Sequence, residues 1–118
     1  MRAGILILVI AAALAVTVGS ANAATPKLTG VTGPGFTITL KGGGKAVKKL
    51  KAGSYTLLVT DKSSIHNFHL FGPGVNKKTT VPFTGRQTWK LKLKPGKYTY
   101  QCDIHAAIGM KGSFRVTR

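Results

Sequence analysis

Trp89, Leu91 and Leu93 alternate with Lys90, Lys92 and Lys94 in the clearest strand signal of the chain. A period of two sets the three apolar side chains on one face and the three ammonium groups on the other, so one face is core and the other meets water. Shorter runs of the same kind recur between Gly and Pro punctuation. Phe36 to Leu40 alternates apolar residues with Thr and stops at Lys41-Gly42-Gly43-Gly44, Tyr55 to Thr60 follows Ala52-Gly53-Ser54, and His66 to Phe71 ends at Gly72-Pro73-Gly74. Thr79 to Phe83 is weaker, and Pro82, which has no N–H to donate, suits an edge strand. Pro95-Gly96 has the central residues of a type II turn. That turn makes Lys97 to Cys102 the returning strand of a hairpin. Gly112 to Thr117 alternates Phe114 and Val116 against Ser113 and Arg115. No stretch shows a helical period, and Ala24 to Pro34 reads as a loose arm. About seven or eight short strands at this spacing predict an all-β fold, an antiparallel β-sandwich.

The first residues follow a different pattern. Arg2 precedes an apolar run from Ala3 to Val18, and small residues end at Ala21-Asn22-Ala23. This is the layout of an export signal, and the run is shorter than the roughly 20 apolar residues that span a bilayer. The expected division is a signal peptide over 1–23 and one domain over 24–118, long enough for one core. The expected location is periplasmic or extracellular.

Charge narrows the partners. Eighteen Lys and Arg stand against two acids in 118 residues, a net +16, and losing Arg2 with the leader leaves +15. Such a field favours anionic partners and makes association fall as salt rises. Export and the absence of any recognition helix, zinc finger or RNA-binding signature argue against nucleic acid. Acidic proteins, an anionic membrane or a cell-wall surface are the expected partners of a monomer. Taken singly, each lysine run is a solvated face.

Cysteine usage then points to chemistry. Exported proteins meet oxidising conditions and normally pair their cysteines, whereas this chain has one, Cys102. It ends a strand, on the face of Tyr98 and Tyr100, and the loop beyond it carries His105 and Met110. Thiolate, imidazole and thioether form a soft donor set that suits copper, the thioether as a weak axial neighbour, better than zinc. The remaining histidines are His66 and His69. On a strand they face opposite ways, and His66 shares its face with Phe68 and Leu70, so His66 is the candidate fourth donor. His69 falls on the other face, hydrogen-bonded or exposed.

The stretch IHNFHLFGPG, followed by PGKYTYQCDIHAAIGMKGSFRV, resembles the small blue copper proteins, the plastocyanin and amicyanin branch of the cupredoxins. The resemblance spans most of Phe36 to Arg118. It implies a Greek-key sandwich and one type 1 copper ion cycling between Cu(I) and Cu(II). The implied ligands are His66, Cys102 and His105 in a trigonal set, with Met110 axial. It also implies that Asn67 ties the first ligand loop to the cysteine loop, and that His105 reaches the surface amid Ala106, Ala107 and Ile108. His69, the Gly72-Pro73-Gly74 segment and the positive charge depart from the pattern of many plastocyanins. The implied function is one-electron transfer between redox partners; a copper carrier or buffer with the same ligands is the alternative. With three histidines and two acids there is little material for a second copper centre or for acid–base catalysis, so no enzyme activity is expected.

Overall fold

In the computed structural model of the protein, which describes residues 10–14 and 24–118, two five-stranded sheets pack face to face. The strands are β1 (Lys27–Thr32), β2 (Ile38–Gly42), β3 (Lys45–Ala46), β4 (Lys49–Lys51), β5 (Gly53–Asp61), β6 (His69–Gly72), β7 (Val75–Lys78), β8 (Gly85–Leu93), β9 (Gly96–Gln101) and β10 (Lys111–Thr117). One sheet has the order β3-β2-β1-β5-β8 and the other β4-β10-β9-β6-β7. The expected leader lies almost wholly outside the described residues.

Inward positions of both sheets build one core. Leu57 and Val59 of β5, Trp89, Leu91 and Leu93 of β8, Tyr98 and Tyr100 of β9, and Phe114 and Val116 of β10 are all buried. Phe68 joins the layers, stacked on Tyr100 at 6.1 Å and edge-on to Trp89 at 6.2 Å. Aromatic pairs at such separations add about 0.5–1.5 kcal/mol each beyond the area they bury. The alternation of β8 and β10 is therefore as the sequence predicts.

Five expectations need correction. The arm over Ala24 to Pro34 contains β1, the middle strand of its sheet, antiparallel to β2 and parallel to β5. Its inward positions are Leu28, Gly30 and Thr32, too small and polar to give an apolar signal. Gly30 has to be small, because a Cβ there would lie 2.6 Å from Phe68 Cζ. Secondly, β10 and β4 are also parallel, so the ten-stranded sandwich is mixed and not wholly antiparallel. Thirdly, Phe36 lies outside β2 and is 61 % exposed. Fourthly, β6 starts only at His69, leaving His66 to Phe68 as a loop, and the edge strand falls at Val75–Lys78 with Thr79 to Phe83 as turn and coil.

The fifth correction concerns Pro95-Gly96. β8 pairs with β5 and β9 pairs with β10 and β6, so the two strands lie in different sheets and form no hairpin. Gly96 does adopt the expected positive φ, at 144°. The segment crosses between layers because Tyr98 pins it. The phenol accepts a hydrogen bond from Lys94 N at 2.9 Å and has the carbonyls of Lys94 and Pro73 at 2.9 and 3.0 Å as alternative acceptors. This is a tyrosine corner, a tie found where β-sandwich chains change sheet.

Candidate metal centre

At one end of the sandwich, β9 leaves its sheet at Gln101 and β10 enters it at Lys111, opposite one another. Between them Cys102 N donates to Met110 O at 3.0 Å, closing the base of the loop. Inside it, Cys102 O accepts from His105 N at 3.2 Å, and His105 O accepts from Ile108 N and Met110 N at 3.1 and 3.2 Å. A single 3₁₀ turn over Ala106–Ile108 ends at Gly109, whose φ of 97° needs glycine. These bonds bring three donor-bearing residues of a short segment to one point.

His66 reaches the same point from the connection between β5 and β6. Asp61 Oδ1 accepts from Ser63 N at 3.0 Å, Ser63 Oγ accepts from Ile65 N at 3.3 Å, and Ser63 O accepts from His66 N at 3.4 Å. The turn coils His66 into the interior, where it is fully buried. Gly33 backs it, since a Cβ at that φ of 74° would sit 3.2 Å from His66 Cδ2.

Three atoms converge. His66 Nδ1 and His105 Nδ1 are 3.0 Å apart, and Cys102 Sγ lies 3.7 and 3.5 Å from them. The point equidistant from all three is about 2 Å from each, the length of an imidazole bond to a first-row metal ion and about 0.3 Å short of a thiolate bond. The donors therefore fit such an ion with only a small displacement from that point. Met110, buried and tied through its backbone to Cys102 and His105, is the thioether-bearing residue of the same loop. Phe36 covers the histidines edge-on, with ring centroids 5.3 Å from His66 and 4.8 Å from His105.

The second layer of contacts locks the two loops together. Asn67 Nδ2 donates to Asp103 Oδ2 at 2.9 Å and to Thr79 O at 3.3 Å, while Asn67 Oδ1 accepts from Asp103 N at 2.8 Å. This is the tie that the resemblance implies for Asn67. Asp103 also pairs with His69 Nδ1 at 2.8 Å and Gln101 Nε2 at 3.0 Å, and His69 Nε2 meets Asn76 Oδ1 at 2.6 Å. His69 is thus hydrogen-bonded to Asp103 and Asn76 and is not among the donors, as expected, although His66 lies outside β6 and strand register does not set the two apart. Desolvation is the largest single influence on Asp103 and opposes its charge. The hydrogen bonds from Gln101, Asn67 and His69, with the His69 charge, together outweigh it and hold the carboxyl below the ordinary value of 3.8.

Asp61 behaves oppositely. Burial pushes its carboxyl above 3.8, against weaker pulls from the Ser63 N–H, His66 and Thr79. Thr32 stands directly across from it. Thr32 Oγ1, Asp61 Oδ2 and His66 Nε2 are the buried side-chain polar atoms, among the described residues, that make no hydrogen bond.

All four donor candidates, His66, Cys102, His105 and Met110, come together. The sequence reading missed Phe36, which it placed in a strand, and the part that Asp103 plays. A signal for Asp103 was present, as one of only two acids in the chain and the residue next to the only cysteine.

No protein-family model and no curated protein sequence matches the chain. Solved structures do. The copper protein rusticyanin superposes with a TM-score of 0.59 at 19 % identity, over 77 % of this chain and 76 % of that one. Rusticyanin from Thiobacillus ferrooxidans gives 0.51 at 21 % over the same shares. A laccase from Pediococcus acidilactici gives 0.57 at 18 %, covering 84 % of this chain but only 28 % of the laccase. The chain has the cupredoxin fold as a single domain, with His66, Cys102, His105 and Met110 clustered as is typical of a type 1 copper site.

Proposed function

We propose that the protein is an exported mononuclear blue copper protein that carries single electrons between redox partners, with His66, Cys102 and His105 as ligands and Met110 as the weak axial one. The carrying observation is the surface around the donors. Within residues 24–118 the exposed large apolar side chains are Phe36, Ile65, Ile104 and Ile108. Phe36 packs on both rings, Ile65 and Ile104 precede the two histidines, and Ile108 donates its N–H to His105 O. Phe36 and Ile108 touch the half-buried His105 directly, and Ile65 and Ile104 adjoin the two histidines in the chain.

When bound, copper supplies a one-electron couple that this mixed set of soft and borderline donors accommodates in both oxidation states. The chain's own residues do the rest. The Asn67–Asp103 clasp fixes the spacing of the two donor loops, limiting rearrangement. The apolar rim excludes water from His66 and Cys102. His105 gives the shortest path to the surface, and an uncharged contact patch permits brief docking, while surrounding lysines steer an acidic redox partner. The leader-like composition of residues 1–23 supports a periplasmic or extracellular setting.

The test is a visible absorption and electron paramagnetic resonance spectrum with one equivalent of Cu(II), with Cys102→Ser in parallel. An intense blue band and a narrow hyperfine splitting, both lost in the variant, are expected; ordinary weak absorption indifferent to the substitution defeats the proposal. Reversible voltammetry without loss of metal separates electron transfer from copper carriage.

A further inference from the structure

The two sheets arrange their outward cations differently. On the sheet containing β5 and β8, Lys90 faces Thr56, Lys92 faces Ser54 and Arg86 faces Thr60 across the strands. On the other sheet Arg115 stands between Lys49 of β4 and Lys97 of β9, in direct register with both. All three are exposed. Neighbouring strands are about 4.8 Å apart, and like charges directly opposite one another destabilise a sheet. Neither acid relieves the row: Asp61 is buried and Asp103 is engaged by Asn67, Gln101 and His69. No acidic side chain of the protein is therefore free to neutralise the row.

The row is also far from the donors. β9 runs from Gly96 into the cysteine loop after Gln101, so Lys97 lies about 13 Å along the strand from Gln101. A partner on the row alone leaves the apolar rim free, and one that also follows the strands reaches Gln101 and Lys111 at the base of the cysteine loop. From the row a shallow groove follows β9 and β10 towards Lys111, lined by Thr99, Gln101, Gly112 and Ser113. It has cations at both ends, hydroxyl and amide groups between, and no apolar side chain.

We propose that this face binds a linear acidic polysaccharide, its carboxylates on the Lys49–Arg115–Lys97 row and on Lys111 and its hydroxyls on Thr99, Gln101 and Ser113. The shallow polar groove with charges at both ends suits a sugar chain. It offers no apolar anchor to a bilayer and no hydrophobic centre to a folded protein. The polymer lies along the outer face of β9 and β10, whether or not metal is bound.

Calorimetric titration of the whole protein with an oligogalacturonate, and with its methyl ester, tests this. Binding that weakens with salt and vanishes for the ester is expected. Replacing Lys49, Lys97 and Arg115 by Ser lowers affinity by about a hundredfold, at about fivefold per cation near an anionic surface. The same charge removed as Arg86→Ser, Lys90→Ser and Lys92→Ser leaves the affinity within a few-fold. In the wild type, the amide resonances of Thr99, Gln101 and Ser113 shift while those of Thr56 and Thr88 stay. Equal losses in the two triple variants would mean that only net charge matters and overturn the assignment. So would ester binding, no binding, or tighter binding to phosphatidylglycerol vesicles or polyglutamate.

Discussion

Replacing Asn67 by Ala removes the clasp between the donor loops. The side chain is 2 % exposed and makes three hydrogen bonds, two of them to Asp103. A neutral hydrogen bond contributes about 1 kcal/mol net and one to a charged group about 1.5–3 kcal/mol. Asp103 is exposed, so water recovers part of its loss, and a fall of about 3 kcal/mol is expected. Unfolding entropy near 60 °C is about 2.1 cal/mol/K per residue, or about 0.2 kcal/mol/K for residues 24–118. The melting temperature of metal-free protein should therefore drop by about 15 °C. Metal-free protein is the right sample, because a ligand bound to the folded state alone masks the loss. Asp103→Ala, alone and combined with Asn67→Ala, completes a double-mutant cycle. It deletes the carboxylate partner but keeps the Asp103 N–H bond, and a coupling of about 1–2 kcal/mol is expected. A drop below about 4 °C, or additive effects within about 0.5 kcal/mol, would refute the clasp as the element that joins the loops.

Other expectations concern the crossing and the two acids. Tyr98→Phe keeps the stack on Phe114 at 5.3 Å but leaves Lys94 N without its acceptor; urea denaturation should show a loss of about 1–3 kcal/mol, and an unchanged midpoint would mean the corner does not hold the crossing. Asp61, with its folded pKa raised, contributes stability that is complete below the unfolded value of 3.8 and is lost as pH rises through the folded value. Asp103, with its folded pKa lowered, contributes stability that is present above 3.8 and is lost as pH falls through the folded value. Carbon-13 titration of the two carboxyls, the only acidic side chains, should place Asp61 above 3.8 and Asp103 below it; the reverse order would contradict both assignments.

What was legible in the sequence follows from how each residue works. Trp89 to Leu93 and Phe114 to Val116 declare themselves because large apolar and charged side chains alternate on a half-buried sheet. β1 stays silent because its inward positions pair one leucine with a polar Thr32 and with Gly30, whose smallness is dictated by the Phe68 ring. Pro95-Gly96 misleads because turn chemistry is local, whereas the sheet that β9 joins is decided by Tyr98, Pro73 and the partners β6 and β10. The donors were readable as residue types at close spacing. The Phe36 contact was not, since its strand-like neighbours hide a side chain that belongs to the loop end. His69 was set apart from His66 on a strand register that does not exist, since β6 begins at His69, and its partner Asp103 emerges only from the folded contacts.

The nine residues from Cys102 to Met110 hang between two strands whose register is complete at Gln101 and Lys111. The backbone bonds that shape them are largely internal to the segment or close its base; the ties to the rest of the protein are side-chain contacts of Asp103 with Asn67, Gln101 and His69 and of Cys102 and His105 with His66. Donor geometry is thereby separable from scaffold. Adding or deleting a residue between His105 and Met110 changes where the sulfur falls relative to the thiolate and imidazole, yet it breaks no pairing in either sheet. Such a chain can be retuned one residue at a time in a replaceable cassette, with the sandwich beneath it as an unchanging mount.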